Sequence, residues 1–226
     1  FQVPSLFNKE YQLLYQFMFK KLSNIGDCGI VCDFGEEANR EINTRVIKLF
    51  QHVKKEVLKG NLNGILNYTP SYNKLIINFD LEKINSSKII DFLKSVDFSK
   101  LNLSQNNKKW TIPVCYDFEM DLENISRTLK MNKDEIINIH LNTDFFVYMI
   151  GFVPGHPFMG DLNSKLFLKR LKTPRVKIPA GSVGIVEKFC NIYPYESPGG
   201  WNIIGRTPTK LFNTQNESSP CLLSPG

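Results

Sequence analysis

The chain has 226 residues, of which 42% are hydrophobic, so it is long enough to bury the cores of one large or two small domains. Its net charge of +6 is spread along the chain, and its longest apolar run, 145–153, is far shorter than the roughly 20 residues of a membrane span, so we expect neither nucleic-acid nor membrane binding. Five cysteines lack the paired spacing of a metal site, which indicates free thiols, no metal and a cytoplasmic protein.

The first half of the chain alternates patterns typical of strands and of helices. Apolar residues near helical spacing predict amphipathic helices, and a turn containing Pro70 and Ser71 separates two short strands. The predicted order is strand, helix, strand, strand, helix, strand, at 29–34, 37–59, 64–68, 74–79, 86–96 and 109–116. This order is typical of a ferredoxin-like sandwich, whose helices lie on one face of an antiparallel sheet.

Two further patterns complete the predicted domains. Apolar residues among the first twenty, such as Leu6 and Leu14, form either an added N-terminal helix or an association surface, and we predict the helix. After two short helices between 121 and 141, short apolar stretches alternate with proline and glycine turns, as in a β-barrel. We therefore predict an α+β protein with an N-terminal domain at 1–116 and a C-terminal β-barrel domain at 117–226.

Glycine and proline are unusually dense in the last third of the chain. Each one alone fits an ordinary β-turn, but the ordered series favours loops that are held in defined shapes around a pocket. The series contains Gly151-Phe152-Val153-Pro154-Gly155, Ile178-Pro179-Ala180-Gly181-Ser182, Ile192-Tyr193-Pro194, Ser197-Pro198-Gly199-Gly200-Trp201 and Gly205-Arg206-Thr207-Pro208.

This series resembles the family that contains the B subunit of 5-oxoprolinase, the Kip kinase inhibitor and allophanate hydrolase subunit 1. The resemblance extends back to Gly26-Asp27 and to Tyr68-Thr69-Pro70-Ser71-Tyr72. It implies a cyclophilin-like barrel in the C-terminal domain. It also implies a non-autonomous subunit of an ATP-dependent 5-oxoprolinase, which acts with subunits C and A to convert 5-oxo-L-proline, a lactam, into L-glutamate.

The resemblance implies that the cofactor is bound by the complete assembly and not by this chain alone. ATP with Mg acts in the complete enzyme, and we expect no cofactor to be bound tightly by this chain alone. The sequence lacks a phosphate-binding Gly-x-x-x-x-Gly-Lys loop, a Gly-x-Ser-x-Gly turn and a His-Glu-x-x-His pair, so we expect it to be inactive by itself. Two alternatives stay open, which are a histidine-kinase inhibitor of the Kip type and a subunit 1 of allophanate hydrolase or urea carboxylase.

Candidate site residues come from the same series. Arg175 and Arg206 offer planar, permanently charged donors for a carboxylate or phosphate, and His140 is a proton carrier or a structural hydrogen-bonding group. These three are the candidate catalytic residues. The candidate substrate-binding residues are the turn and aromatic positions Pro154, Gly155, Gly181, Ser182, Tyr193, Ser197, Gly199, Gly200, Trp201 and Thr207.

Two positions depart from the family pattern. His156 stands where members carry an aromatic residue, and it is either a ligand group or a neutral replacement. Lys169-Arg170 lacks the proline that usually precedes the first arginine. Both basic residues belong to a concentration of positive charge at 165–177, which is either a solvated edge or an anion-binding patch.

Overall fold

The structure, a computed structural model, describes residues 19–103, 108–118 and 120–226. The chain forms two compact units, 1–105 and 106–226. This division falls earlier than the predicted boundary after residue 116. The helix predicted among the first twenty residues lies almost entirely outside the described residues. None of the described helices has the length and apolarity that crossing a membrane requires.

The first unit contains an antiparallel sheet of four strands in the order β1-β2-β4-β3. Its strands are β1 (Lys21–Ile25), β2 (Gly29–Asp33), β3 (Ile65–Pro70) and β4 (Lys74–Phe79). Strands β2, β3 and β4 confirm the sequence prediction, and β1 was missed.

Two helices cover the sheet of the first unit. These are α1 (Arg40–Leu58) and α2 (Ser86–Ser95), whose first turns are capped by the side chains of Asn39 and Asn85. Alternate residues of β2 and β4 share one buried cluster with both helices. This cluster confirms the expected packing of both helices on one face of the sheet.

The strand predicted at 109–116 is wrong. Residues 109–114 form no strand, and Cys115 makes only an isolated bridge to Arg206 in the second unit. Two physical reasons account for this. Strand β1 already pairs with the edge of β2 that a further strand would use, and Pro113 has no backbone N–H to donate to a ladder.

The second unit contains two short helices and two antiparallel sheets. The helices are α3 (Leu122–Leu129) and α4 (Lys133–Leu141). The five-stranded sheet has the order β11-β8-β9-β6-β5, and the two-stranded sheet pairs β10 with β7. The strands are β5 (Phe146–Ile150), β6 (Pro157–Gly160), β7 (Arg175–Ile178), β8 (Ser182–Val186), β9 (Phe189–Ile192), β10 (Ser197–Gly199) and β11 (Asn202–Arg206).

The five-stranded sheet has two different faces. Cys190 and Ile192 of β9 belong to the main core, which also contains residues of α3 and α4. Successive side chains of a strand point to opposite faces, so Asn191 lies on the other face. The register places Phe158, Asn191, Gly184 and Ile203 side by side there. Of the predicted substrate-binding residues, Trp201 contacts this second face, because its ring centroid lies 5.9 Å from that of Phe158.

The turn between β7 and β8 depends on Gly181. Its φ is +82°, a region that favours glycine, and a Cβ at this position would lie 2.1 Å from the carbonyl oxygen of Thr207. The Gly181 N–H donates to the carbonyl of Tyr193 at 2.7 Å, and its own carbonyl accepts from the Thr207 N–H at 2.8 Å. The turn therefore fixes the positions of Tyr193 and Thr207.

We expect Gly181→Ala to destabilise the second unit by about 3 kcal/mol or more, because left-handed strain adds to a backbone collision. Ala180→Gly in the same turn is the matched control, and we expect it to cost about 1 kcal/mol or less. Urea denaturation followed by tryptophan fluorescence measures both. Equal losses in the two variants would contradict the special role of Gly181.

Candidate functional site

Several predicted substrate-binding residues meet at Tyr193. This tyrosine is buried together with Ile178 and Ile203 in a small cluster separate from the main core. A Cβ on Gly199 would lie 2.3 Å from the Tyr193 hydroxyl, so β10 packs directly against the phenol. Ser197, two residues before Gly199, pairs in register with Ile178. The structure therefore brings Tyr193, Ser197 and Gly199 together.

The electrostatic surroundings of Tyr193 place two arginines nearby. Burial raises the pKa of Tyr193, while hydrogen bonds from the Asn191 side chain and the Trp201 backbone oppose that rise. The positive charges of Arg170 and Arg175 oppose it as well. The phenol is therefore a neutral hydrogen-bonding group between a buried side chain and a basic surface.

Arg175 is held by a buried carboxylate. Its Nη2 forms an ion pair with Oδ1 of Asp121, and its Nη1 donates to the carbonyl of Trp201 at 3.5 Å. The other carboxylate oxygen of Asp121 accepts from the Ile203 N–H at 2.6 Å. Asp121 precedes α3 and Ile203 lies in β11, so this ion pair joins α3, β7 and β11. The predicted catalytic role of Arg175 stays a prediction.

Arg206 lies beside the Gly181 turn. Its guanidinium is exposed, and its Nε donates to the carbonyl of Ala180 at 2.8 Å. The backbone N–H groups of Gly181 and Ser182 already donate to the carbonyls of Tyr193 and Pro179. An anion at this turn would therefore have to bind the arginine side chain.

His140 lies on the main-core side of the five-stranded sheet. Its Nδ1 is 2.7 Å from the Tyr116 hydroxyl, and its Nε2 is 3.6 Å from Sγ of Cys190. Burial lowers the pKa of His140 to about 4 and raises the pKa of the Cys190 thiol. The structure does not bring His140 together with Tyr193, because Cys190 and Asn191 point to opposite faces of β9.

Sequence reasoning missed Asn191 and left His156 without a role. His156 is 2% exposed, and its ring stacks on Phe158 with the centroids 4.9 Å apart. Its Nε2 lies 2.9 Å from Nδ2 of Asn191, which is fully buried. Burial lowers the pKa of His156 to about 4, so the imidazole is neutral near pH 7. The available signal was a polar asparagine between two apolar neighbours, Cys190 and Ile192.

Arg170 is the other residue that sequence reasoning did not assign to the site. Its segment is fixed by two bonds, from the Leu171 N–H to the carbonyl of Gly200 at 2.8 Å and from Asn202 Nδ2 to the carbonyl of Lys169 at 3.1 Å. The exposed guanidinium lies over Gly200, where a Cβ would come within 3.0 Å of its Nε. The absence of a side chain at Gly200 therefore lets the arginine approach the main chain closely.

The remaining predicted residues lie around this group. Gly155 has a φ of +76°, and a Cβ there would meet Phe212 at 2.6 Å. Thr207 is buried, and its hydroxyl accepts from the Thr209 N–H at 3.1 Å. Two surface concavities, of about 600 and 690 Å³, lie at α4 and in the first unit, and neither contains a predicted site residue.

Comparisons with known proteins agree with this architecture. A family model described as carboxyltransferase domain, subdomain C and D, matches residues 20–223. The 5-oxoprolinase B subunit of Bacillus subtilis is 32% identical over 219 residues, which are 91% of this chain and 89% of that protein. The crystal structure of TTHA0988 superposes with a TM-score of 0.77 at 29% identity, over 88% of this chain and 38% of that one.

Two further relatives match parts of the chain. The 5-oxoprolinase B subunit of Haemophilus influenzae is 43% identical over 117 residues, which are 51% of this chain and 54% of that protein. A putative urea carboxylase of Emericella nidulans is 25% identical over 65% of this chain, which spans 14% of that protein. The similarity to the first relative is therefore stronger than the similarity to the second.

We expect Asp121→Asn to destabilise the second unit by about 3 kcal/mol, because it leaves Arg175 beside a neutral group and weakens the bond to Ile203. Glu123→Gln, in the first turn of α3, removes exposed ion pairs with Arg127 and Lys133 and serves as the control, with an expected loss of about 1 kcal/mol or less. Urea denaturation measures both. Equal effects would show that the buried pair has no special role.

Stability should also depend on pH through His140 and His156. Both have a folded pKa of about 4 against an ordinary value of 6.5. Their contribution to the free energy of unfolding is complete above pH 6.5. It is lost as the pH falls to about 4, at about 1.4 kcal/mol per pH unit for each histidine. We expect His156→Phe to remove about half of this slope in denaturation experiments between pH 7 and 5. An unchanged slope would contradict the assignment.

Proposed function

The chain belongs to the family of carboxyltransferase domains, subdomains C and D, together with the B subunit of 5-oxoprolinase, and on this premise we propose that it serves as that subunit in a 5-oxoprolinase. The observation that carries the proposal is the 32% identity to the Bacillus subtilis protein along nearly the whole of both chains. Subunits C and A are the proposed partners, and this chain acts only within their assembly.

The proposed reaction opens a lactam, which amide resonance protects from water. ATP with Mg, bound within the assembly, supplies the phosphoryl group that removes this protection. Water then adds to the carbonyl carbon, the carbon–nitrogen bond breaks, and the ring nitrogen takes up a proton, which leaves an acyl phosphate. A second water hydrolyses this acyl phosphate to L-glutamate and phosphate. The contribution of this chain is to bind and orient 5-oxo-L-proline, since positioning supplies much of the rate in such reactions.

The substrate carboxylate fits Arg170. This guanidinium is exposed, lies over Gly200, and is fixed through its flanking backbone. Guanidinium groups bind carboxylates through two parallel hydrogen bonds. The ring of the substrate then points toward Tyr193. Arg206, at the neighbouring turn, is the proposed second cation, which stabilises negative charge on the phosphorylated side of the substrate.

The proposed fold names follow from the same family. The strand and helix order of the first unit supports a ferredoxin-like arrangement in which β1 replaces the last strand. The two antiparallel sheets of the second unit support a cyclophilin-like barrel. The second candidate function is a urea carboxylase or allophanate hydrolase subunit, favoured by the relative from Emericella nidulans but at lower identity and coverage.

Reconstitution tests the function. The chain is purified together with subunits A and C of 5-oxoprolinase, and ATP-dependent glutamate formation from 5-oxo-L-proline is measured with and without this chain. We expect turnover only when every subunit is present. Turnover of urea instead would favour the second candidate, and tight binding to a histidine kinase without any turnover would favour a Kip-type inhibitor.

We expect Arg170→Ala to lower kcat/KM for 5-oxo-L-proline about 100-fold in the assembly, because a charge-assisted bidentate contact is lost. Arg170→Lys should recover only part of this loss, since lysine keeps the charge but not the planar donor fork. Lys169→Ala is the matched control on the preceding exposed residue and should leave kcat/KM within about twofold. Similar losses for both alanine variants would refute the contact.

A further inference from the structure

A basic groove lies on the surface of the first unit. Its volume is about 690 Å³, within the range of about 300–1,000 Å³ that small-molecule sites occupy. One wall is α1, and the other is the segment that follows α2, with a 3₁₀ turn at Phe98–Lys100. We call this surface the α1 groove. It is lined by four lysines, Lys48, Lys55, Lys59 and Lys100, and by two carboxylates, Glu56 and Asp97.

Most of the basic side chains form one row along α1. The row contains Lys48, His52, Lys55 and Lys59. Steps of four, three and four positions place these residues along one face of a helix. Lys48 and Lys55 are two turns apart, about 10 Å along the helix axis, with His52 between them. Because lysine has a flexible four-carbon stem, both ammonium groups reach a ligand placed beside His52.

Two of the four lysines are neutralised within the groove. Nζ of Lys59 lies 2.8 Å from Oε1 of Glu56. Nζ of Lys100 lies 3.0 Å from Oδ2 of Asp97. Both carboxylates of the groove are therefore already paired.

The other two lysines, Lys48 and Lys55, have no ion pair among the described residues. No carboxylate stands three or four positions from either of them, so helical neighbours do not compensate their charges. Lys55 also lies four positions before Lys59, a spacing at which like charges repel. The groove therefore keeps two positive charges that the described part of the chain leaves uncompensated.

His52 is held beside these two charges. Its ring stacks on Phe92, with the centroids 5.6 Å apart and the planes at 7°. Burial lowers the pKa of His52, Glu56 opposes this effect, and the positive charges of Lys55 and Lys59 lower the pKa further. The imidazole is therefore mainly neutral near pH 7, and its N–H is a hydrogen-bond donor.

The charge of the groove favours a dianion. Four lysines and two carboxylates leave a net charge of +2. A phosphate monoester carries about −1.5 to −2 near pH 7 and offers three strong acceptor oxygens. These oxygens match the three donors on Lys48, Lys55 and His52. A single carboxylate would compensate only half of the charge.

The remainder of the groove suits the uncharged part of such a molecule. Val96 and Leu101 supply apolar surface on the wall opposite α1, where Val96 is buried and Leu101 is half-buried. Small-molecule sites typically combine apolar lining with a few polar groups that fix orientation. The α1 groove has both features.

We propose that the α1 groove binds a small molecule that carries a phosphate monoester, and that Lys48, Lys55 and His52 hold the phosphate. The site lies wholly within the first unit. It is independent of the 5-oxoprolinase assignment, because it uses no residue of the Tyr193 group.

The test uses the full chain alone, with phenyl phosphate as the probe. The histidine side chains are labelled with ¹⁵N, and NaCl keeps the ionic strength constant. We expect the His52 signals to shift in a saturable way, half-maximal at about 1 mM, while those of His140 and His156 in the second unit stay unchanged. The bound dianion should also raise the pKa of His52, because a nearby negative charge favours the imidazolium.

Two further probes define the class of ligand. Phenyl sulfate has the same ring and a tetrahedral group but only one negative charge, and it should bind about fivefold more weakly. Hexaglutamate represents an acidic protein segment and should give no saturable shift at His52. An equal or tighter response to either probe would overturn the assignment of a phosphate monoester.

Variants separate the groove from general charge. Lys48→Gln combined with Lys55→Gln should weaken phenyl phosphate binding about 20-fold, because two charge-assisted bonds are lost. Lys54→Gln combined with Lys88→Gln removes the same net charge from exposed lysines outside the groove, and binding should stay within about twofold. The midpoint of urea denaturation should not fall in the first double variant, since no ion pair is broken.

Three results would overturn the inference. These are the absence of a saturable shift at His52, equal shifts at all three histidines, and equal weakening of binding in the two double variants. Any of them would mean that the lysines form only a solvated face of α1. The 5-oxoprolinase assignment is tested separately by glutamate formation and stands or falls without these results.

Discussion

The carboxylate of Asp121 determines how the second unit is arranged. One oxygen binds the guanidinium of Arg175 in β7, and the other accepts from the Ile203 N–H in β11. Asp121 itself begins α3, so a single buried charge fixes three elements at one point. Arg175 in turn binds the carbonyl of Trp201. Because a buried carboxylate is stable only when it is paired, this interaction allows few alternative arrangements of the turns that carry Tyr193 and Gly200.

The five-stranded sheet separates two histidines with different roles. Alternation along β9 sends Cys190 to the main core, where His140 completes its hydrogen bonds with Tyr116. It sends Asn191 to the other face, where His156 keeps one nitrogen without a protein partner among the described residues. Both imidazoles are neutral because both are buried, so neutrality alone does not mark a functional histidine. The unsatisfied nitrogen distinguishes His156.

Much of this fold could be predicted from the sequence, and the site only in part. The periodicity of 37–59 and the strand at 74–79 specify local structure directly, because burial of one face imposes the spacing. The strand at 109–116 failed because its pairing edge is occupied by β1, which is a tertiary fact. The glycine-rich turns predicted the position of the Tyr193 group. The partners of each arginine depend on contacts between distant residues, so Asp121 was not identified and Arg170 was placed only in a basic segment.

Around Tyr193, an exposed charged side chain lies near buried side chains that carry no charge. Arg170 is exposed beside Gly200, whereas His156 and Asn191 are buried and uncharged. A rigid ring that carries a carboxylate at one position and an amide at another matches this gradient, since each group then meets surroundings of suitable polarity. A substrate that lacks the carboxylate or the amide would match only one of these two surroundings. In the proposed function, a carboxylate held by Arg170 would orient the substrate ring beside Tyr193 before the reaction begins.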